Sequence, residues 1–71
     1  MPADALSIWC VYDSPTDYPG KFVARRFTLD QPTTDVVVAN TLQQVRRLIP
    51  SGLYRIERQR GDDPKIVETW F

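Results

Sequence analysis

The residue types that could lock a small fold covalently or through a metal are scarce in this chain. Its 71 residues include one cysteine and no histidine, so an internal disulfide is impossible and a structural zinc site lacks ligands. A single core in a chain of this length buries only about 60% of the surface that the unfolded chain exposes. The fold must therefore be stabilised by side-chain packing, and oligomerisation is the remaining way to add buried surface.

The overall composition is that of an ordinary globular domain. Hydrophobic residues make up 42% of the chain and charged residues 25%, and the formal net charge is zero. We expect one domain over residues 1–71, with residues 1–5 frayed. The sequence has no long apolar run and no secretory signal pattern, and its lone cysteine fits a reducing compartment. These features predict a cytoplasmic protein that does not cross a membrane.

The periodicity of apolar residues predicts five strands and one helix. We expect the strands at residues 6–12, 21–29, 35–39, 53–58 and 65–71, with a loop at 30–34. The order is β-β-β-α-β-β, and the links between neighbouring strands are short. This order predicts a single small α+β domain, with a mostly antiparallel sheet and one helix packed on one face.

The helix is predicted between the third and fourth strands. Thr41 is followed three residues later by Gln44, which fits a capping box, and Asn40 is a competing N-cap. Pro50 ends the helix. An apolar stripe at helical spacing follows the cap and consists of Leu42, Val45, Leu48 and Ile49.

The second strand has an irregular pattern, because its apolar residues change parity half-way along. A β-bulge at Arg25-Arg26 would return all of them to one face, and this is the interpretation we favour. A regular strand is the alternative. It would place Val23, Arg25, Phe27 and Leu29 on the inner face and would require a partner for Arg25.

The first strand has two apolar faces. We expect its inner face to consist of Leu6, Ile8, Cys10 and Tyr12. Trp9 and Val11 then lie on the opposite face. One short helix cannot cover five strands, so part of that opposite face is expected to remain exposed.

The last two strands add further residues to the inner and outer faces of the predicted sheet. A carboxylate is not expected to point into a core, so Glu68 is placed outward. The inward residues are then Tyr54 and Ile56 in the fourth strand, and Val67, Thr69 and Phe71 in the fifth. Ile66 and Trp70 share the outer face with Glu68. The candidate protein-contact residues are therefore Trp9, Ile66 and Trp70.

Basic residues are concentrated in the second half of the chain. Residues 41–60 contain five arginines and one glutamate, whereas the first twenty residues contain three aspartates and no basic residue. Arginine binds carboxylate and phosphate groups well. The candidate residues for an anionic ligand such as nucleic acid are Arg46, Arg47, Arg55 and Arg58. The alternative, which we favour, is that these arginines pair with the N-terminal aspartates.

Signals for catalysis are weak. Without histidine, a Ser-His or Cys-His nucleophile pair is impossible, and Cys10 in a strand is expected to behave as a small hydrophobic residue. Four aspartates near prolines are expected to shape turns: Asp13, Asp17, Asp62 and Asp63. We predict a protein that is not an enzyme and has no cofactor or metal. Catalysis would need Asp13 or Asp17 to share a cavity with Tyr12, Tyr18 or Arg25.

Two parts of the chain resemble small uncharacterised proteins of bacteria and bacteriophages. The N-terminal part is residues 11–27, which include YDSPTDYPGKFVARR; the C-terminal part is PSGLYR at 50–55 and DDPKIVETW at 62–70. Together they cover a little under half of the chain. The resemblance implies a bacterial or phage origin and transfers no functional residues.

The predicted function is that of a non-catalytic protein-binding or accessory module. Its partner would be another protein or a second copy of the chain. The alternative is a nucleic-acid-binding module that uses its arginine-rich face.

Overall fold

A computed structural model describes residues 7–28 and 31–71 of the chain. These residues form five strands and one helix: β1 (Ser7–Asp13), β2 (Phe22–Thr28), β3 (Gln31–Ala39), α1 (Leu42–Leu48), β4 (Arg55–Glu57) and β5 (Ile66–Trp70). The predicted α+β fold and its order of elements are confirmed. The predicted frayed end at 1–5 lies outside the described residues, as do Leu6 and Leu29.

The strands form one sheet in the order β3-β2-β1-β5-β4. Every neighbouring pair is antiparallel. It follows that the two edge strands, β3 and β4, run in the same direction, so the connection between them must cross the sheet. That connection contains α1, which therefore packs on one face and leaves the other face without a helix.

The core lies between α1 and the sheet. Its buried residues come from β1, β2, α1 and the end of the helix: Trp9, Val11, Ala24, Val45 and Ile49. Half-buried side chains surround them, including Phe22 from β2 and Val37 from β3. The face of β1 that carries Trp9 and Val11 is thus the inner one.

The prediction that Trp9 lies on an uncovered face is wrong, because only 6% of its surface is exposed. Trp70 is half buried and packs against the same core, and Ile66 is also half buried. Both faces of β1 are apolar, so alternation alone could not say which one the helix covers. The helix covers the face with the large indole, and the loop after β1 covers part of the other with Pro15, which is buried.

β2 is a regular strand along its pairing with β1, so the favoured bulge at Arg25-Arg26 is wrong. The irregularity lies in the pairing of β2 with β3, between Arg25 and Phe27, and the extra residues belong to β3. Val23, Arg25 and Phe27 consequently share a face, as the alternative interpretation stated, and Arg25 finds the partner it needs in Asp17. The alternative was wrong to make this the inner face, because the helix covers the opposite one.

β3 is longer than expected, because residues 31–34 belong to the strand and not to a loop. They pair with the end of β2, where Thr28 lies opposite Gln31 and Phe27 lies opposite Pro32. Proline lacks a backbone N–H and is tolerated at the edge of a sheet, which is where β3 lies. Pairing with a neighbour therefore overrides the local turn composition.

β4 is shorter than expected and its inward residues were predicted wrongly. Tyr54 precedes the strand and is 76% exposed, and Ile56 is also exposed. Phe71, which follows β5, is exposed as well. Leu53 packs against the core in their place. Within the described residues, α1 packs against β2 and β3 at the other end of the sheet, so it leaves the side chains of β4 uncovered.

The start of α1 confirms the predicted capping box. Thr41 is the N-cap, and its side chain accepts a hydrogen bond from the Gln44 N–H at 3.1 Å. The Gln44 side chain in turn accepts from the Asn40 N–H at 3.2 Å. The helix ends before Pro50. Within residues 7–28 and 31–71, no helix has both the length and the apolar character needed to span a bilayer.

Candidate functional site

Glu68 is the only charged residue among the described ones that is fully buried, with 1% of its surface exposed. It lies on β5 opposite Val11, on the face that α1 covers. The prediction that Glu68 points outward is therefore wrong. A buried carboxylate requires hydrogen-bonded or charged partners, and the structure supplies them from three elements.

The Glu68 carboxylate accepts four hydrogen bonds. Arg46 on α1 donates two, from Nε to Oε2 at 2.9 Å and from Nη2 to Oε1 at 2.7 Å. Trp70 donates from its indole Nε1 to Oε2 at 2.7 Å, and Arg55 on β4 donates from Nη1 to Oε1 at 3.5 Å. The paired Arg46 contact is the bidentate geometry that makes such bonds strong. Glu68 thus connects α1, β4 and β5.

The pKa of Glu68 shows that these partners outweigh burial. Burial alone would raise that pKa, but the hydrogen bonds from Arg46 and Trp70 and the charges of Arg46 and Arg55 hold it below its usual value. The hydrogen bond to Glu68 in turn raises the pKa of Arg46. The carboxylate is therefore ionised at neutral pH and serves to hold the fold together.

The four candidate arginines for an anionic ligand do not form one cluster in the structure. Arg46 and Arg55 both contact Glu68. Arg58 donates to the backbone carbonyl of Asp62 in the turn between β4 and β5, and Arg47 lines a groove beside β3. The pairing of this arginine cluster with the N-terminal aspartates was predicted wrongly for Arg46 and Arg55. Binding of nucleic acid by these arginines stays a prediction.

A cavity of about 330 Å³ on the face without the helix brings together Tyr12, Asp17 and Arg25. Asp17 forms an ion pair with Arg25, and the Arg25 guanidinium lies 5.5 Å from the centre of the Tyr12 ring. Asp63 and Lys65 line the same cavity. Catalysis was predicted to need these residues in one cavity. The ionisation of the side chains in and near the cavity is therefore relevant.

Burial acts on two titratable groups in this region, Tyr12 and Cys10. Burial raises the pKa of the Tyr12 phenol, so it keeps its proton at neutral pH. Burial likewise raises the pKa of the Cys10 thiol, which disfavours the reactive thiolate. The Asp17–Arg25 pair holds the loop after β1 against the sheet. The ion pair that lines the cavity therefore helps to stabilise the fold.

The turn between β4 and β5 confirms the predicted role of its aspartates. Asp62 accepts from the Gln59 N–H at 2.8 Å, and Asp63 accepts from the Lys65 N–H at 2.9 Å. Both side chains therefore bond backbone nearby, as aspartate does in turns. In the part of the chain that the structure describes, no three acidic or cysteine side chains are arranged to hold a metal ion.

A groove of about 490 Å³ lies between α1 and the end of β3, and we call it the β3 groove. Its apolar lining includes Val38 and Leu48. Two cationic side chains, Lys21 and Arg47, also line it, together with the neutral amides Asn40 and Gln44; the remaining lining residue is Ala39. The described lining thus contains cations and apolar groups but no carboxylate.

The β3 groove continues into the free edge of the sheet. β3 is an edge strand, and no other described segment pairs with its outer side. Alternate backbone N–H and C=O groups of an edge strand point away from the sheet and can pair with another strand. Val36 and Val38 on this strand are 41% and 37% exposed. The Val36–Val38 run was recognised in the sequence as a strand, but its position at an edge depends on strand order, which the sequence did not reveal.

The chain matches no protein-family model, no curated protein and no solved structure. The resemblance of residues 11–27, 50–55 and 62–70 to small bacterial and phage proteins therefore stays a prediction. Function has to be inferred from the geometry of the Glu68 contacts, the cavity at Arg25 and the β3 groove.

Proposed function

We propose that this chain is a non-catalytic protein-binding module that adds an extended polypeptide segment to the free edge of β3. Strand addition gains affinity from main-chain hydrogen bonds and specificity from pockets for alternate side chains. Residues 36–39 of β3 offer a regular edge, and the β3 groove offers a pocket beside it. The observation that carries the proposal is this combination of an unpaired edge and an adjoining groove.

The chemistry of the β3 groove defines the segment that fits it. Lys21 and Arg47 favour an acidic side chain, and Leu48, which is exposed, favours an apolar neighbour. The segment would therefore combine a carboxylate with β-branched or other apolar residues in an extended conformation. A bacterial or phage origin and a cytoplasmic location belong to the same proposal, supported by the resemblance and by the single free Cys10.

Selection from a library of extended peptides displayed on phage tests this proposal. We expect the selected peptides to carry an acidic residue among apolar ones, because the groove presents two cations. Added to the isotope-labelled protein, such a peptide should shift the amide resonances of residues 36–39 and 47–48. Peptides that shift only resonances elsewhere, or a selection that yields no binder, would contradict the proposal.

A charge reversal in the groove provides the matched variant. Arg47→Glu is expected to weaken binding of a selected peptide about tenfold, since one favourable charge pair becomes repulsive. Arg60→Glu makes the same charge change in the exposed turn between β4 and β5 and should leave the affinity unchanged. Equal losses in the two variants would show that only overall charge matters, which would exclude a specific role for the groove.

A further inference from the structure

We infer that the segment at the β3 edge is β3 of a second copy of this chain, so that two sheets join into one continuous antiparallel sheet. The inference rests on the proposed use of β3 for strand addition. Such an interface is symmetric, because the same strand contributes from both copies. It would also give a small domain with a limited core the additional buried surface that its sequence cannot obtain from a disulfide or zinc.

The two edges of the sheet differ in how well they are protected. β4 has three residues, all exposed, and two of them are the charged Arg55 and Glu57. Short and charged edges resist pairing with another chain. β3 has nine residues, and Asp35 is its one charged residue. Its first half contains Pro32 and the irregular pairing with β2, which also protect an edge, whereas residues 36–39 pair regularly and contain neither a charge nor a proline. The structure therefore protects β4 and leaves residues 36–39 of β3 suited to pairing.

One register of pairing between two copies would bury the exposed apolar residues of β3. The regular pairing of residues 36–39 with β2 places Val36 and Val38 on the same face, away from the helix. If two copies pair antiparallel about Val37, Val36 of each copy lies directly opposite Val38 of the other. Side chains directly opposite each other in such a pair are in contact. The interface then contains two Val36–Val38 contacts, and each buries two valines that are exposed in a single copy.

On the other face of the sheet, the same register brings a carboxylate of one copy near the cations of the second copy. Asp35 lies on the side of α1, because it pairs with Arg26, which is opposite the buried Trp9. The Asp35 side chain remains 55% exposed. In the register about Val37, Asp35 lies opposite Ala39 of the second copy, which lines the β3 groove beside Lys21 and Arg47. Each copy thus supplies the carboxylate that the groove of the other favours.

Disulfide trapping tests both the dimer and its register. The single variants Val36→Cys and Val38→Cys are prepared in a Cys10→Ala background, and oxidised alone or mixed. Residues directly opposite in an antiparallel pair have Cα atoms about 4.5–5.5 Å apart, within reach of a disulfide. Identical positions would be diagonal neighbours about 7–8 Å apart, which is too far. We expect the mixture to form covalent dimers much faster than either variant alone.

Sedimentation equilibrium on the unmodified chain measures the association itself. We expect a dimer whose dissociation constant rises at least about tenfold in Asp35→Lys, since two symmetric charge pairs become repulsive. Glu57→Lys makes the same charge change on the protected edge and should have no effect. The melting temperature of each variant establishes that it is folded.

A monomer at every concentration, or equal cross-linking in all three cysteine samples, would overturn the inference. If the protein is a monomer but selected peptides still shift the resonances of residues 36–39, the strand-addition function stands and only the identity of the partner is wrong. If neither peptides nor a second copy bind at β3, both proposals fail.

Discussion

Replacing Trp9 with alanine is expected to lower the free energy of unfolding by about 3–5 kcal/mol. The indole is buried in the core among Val11, Val45 and Ile49, so its removal leaves a cavity that the backbone cannot close. A domain of this size has a total stability of about 4–10 kcal/mol. The variant should therefore be unfolded or close to unfolding at 37 °C.

Urea denaturation followed by circular dichroism measures this effect without relying on tryptophan fluorescence. Tyr54→Ala is the control, because Tyr54 is an aromatic residue that lies almost wholly in solvent. Its unfolding free energy should change by no more than about 0.5 kcal/mol. If Trp9→Ala instead kept its stability and lost only association, the indole would be a contact residue, as its sequence pattern suggested.

Glu68→Gln should lower the free energy of unfolding by about 2–3 kcal/mol. Breaking a buried ion pair from one side leaves uncompensated charge, at a cost of about 3–5 kcal/mol when both partners are buried. Here Arg46 and Arg55 keep more than a third of their side chains in water, so hydration offsets part of the loss. Urea denaturation at neutral pH provides the measurement.

The advantage of Glu68 over glutamine should disappear in acid. Because the folded pKa of Glu68 lies below its unfolded value, its stabilising contribution is complete above the unfolded value of about 4.3 and is lost as the pH falls through the folded pKa. The difference in unfolding free energy between the unmodified chain and Glu68→Gln should therefore shrink as the pH falls below about 4.3.

A matched control separates Glu68 from the general effect of acid. Glu57→Gln removes the same charge from the neighbouring strand, where the side chain is 81% exposed. As an exposed surface substitution, it should change the free energy of unfolding by no more than about 0.5 kcal/mol. A difference for Glu68→Gln that stays constant with pH would show that shape, and not charge, makes this residue stabilising.

The elements that were predicted well from the sequence are those determined by neighbouring residues. α1 begins at the Thr41 cap and ends before Pro50, and both signals act within a few residues. The turn at Asp62 and Asp63 is likewise local, because each side chain bonds backbone within three residues. Local hydrogen bonds of this kind do not depend on the rest of the fold, so the sequence indicates them directly.

The faces of the strands could not be predicted, because they depend on contacts between distant segments. β1 carries apolar residues on both sides, so only the position of α1 decides that Trp9 is inside. The charge of Glu68 by itself predicts an outward position, whereas Arg46 and Arg55 reach its carboxylate from α1 and β4. The surplus of arginine over glutamate in residues 41–60 was a signal that a carboxylate from elsewhere was needed.

The candidate site was missed for a related reason. The charge of Arg47 makes it a candidate, but Lys21 directly precedes β2 and lies near Arg47 only through the packing of α1 on the sheet. The free edge of β3 follows from the strand order, and several orders fit the same pattern of five strands. A groove that is assembled from three separate segments leaves no local signature.

The strand order also bears on how the chain reaches its folded state. β1 lies at the centre of the sheet, and one of its partners, β5, is separated from it by almost the whole chain, with Trp9 opposite Trp70. β1, β2 and β3 are consecutive neighbours in the sheet, so they can pair before β5 joins β1. Until then one side of β1 is an open edge next to an exposed indole, and the late insertion of β5 closes it. Such long-range pairing is slow, so the folding chain is most prone to aggregation in the interval before β5 pairs with β1.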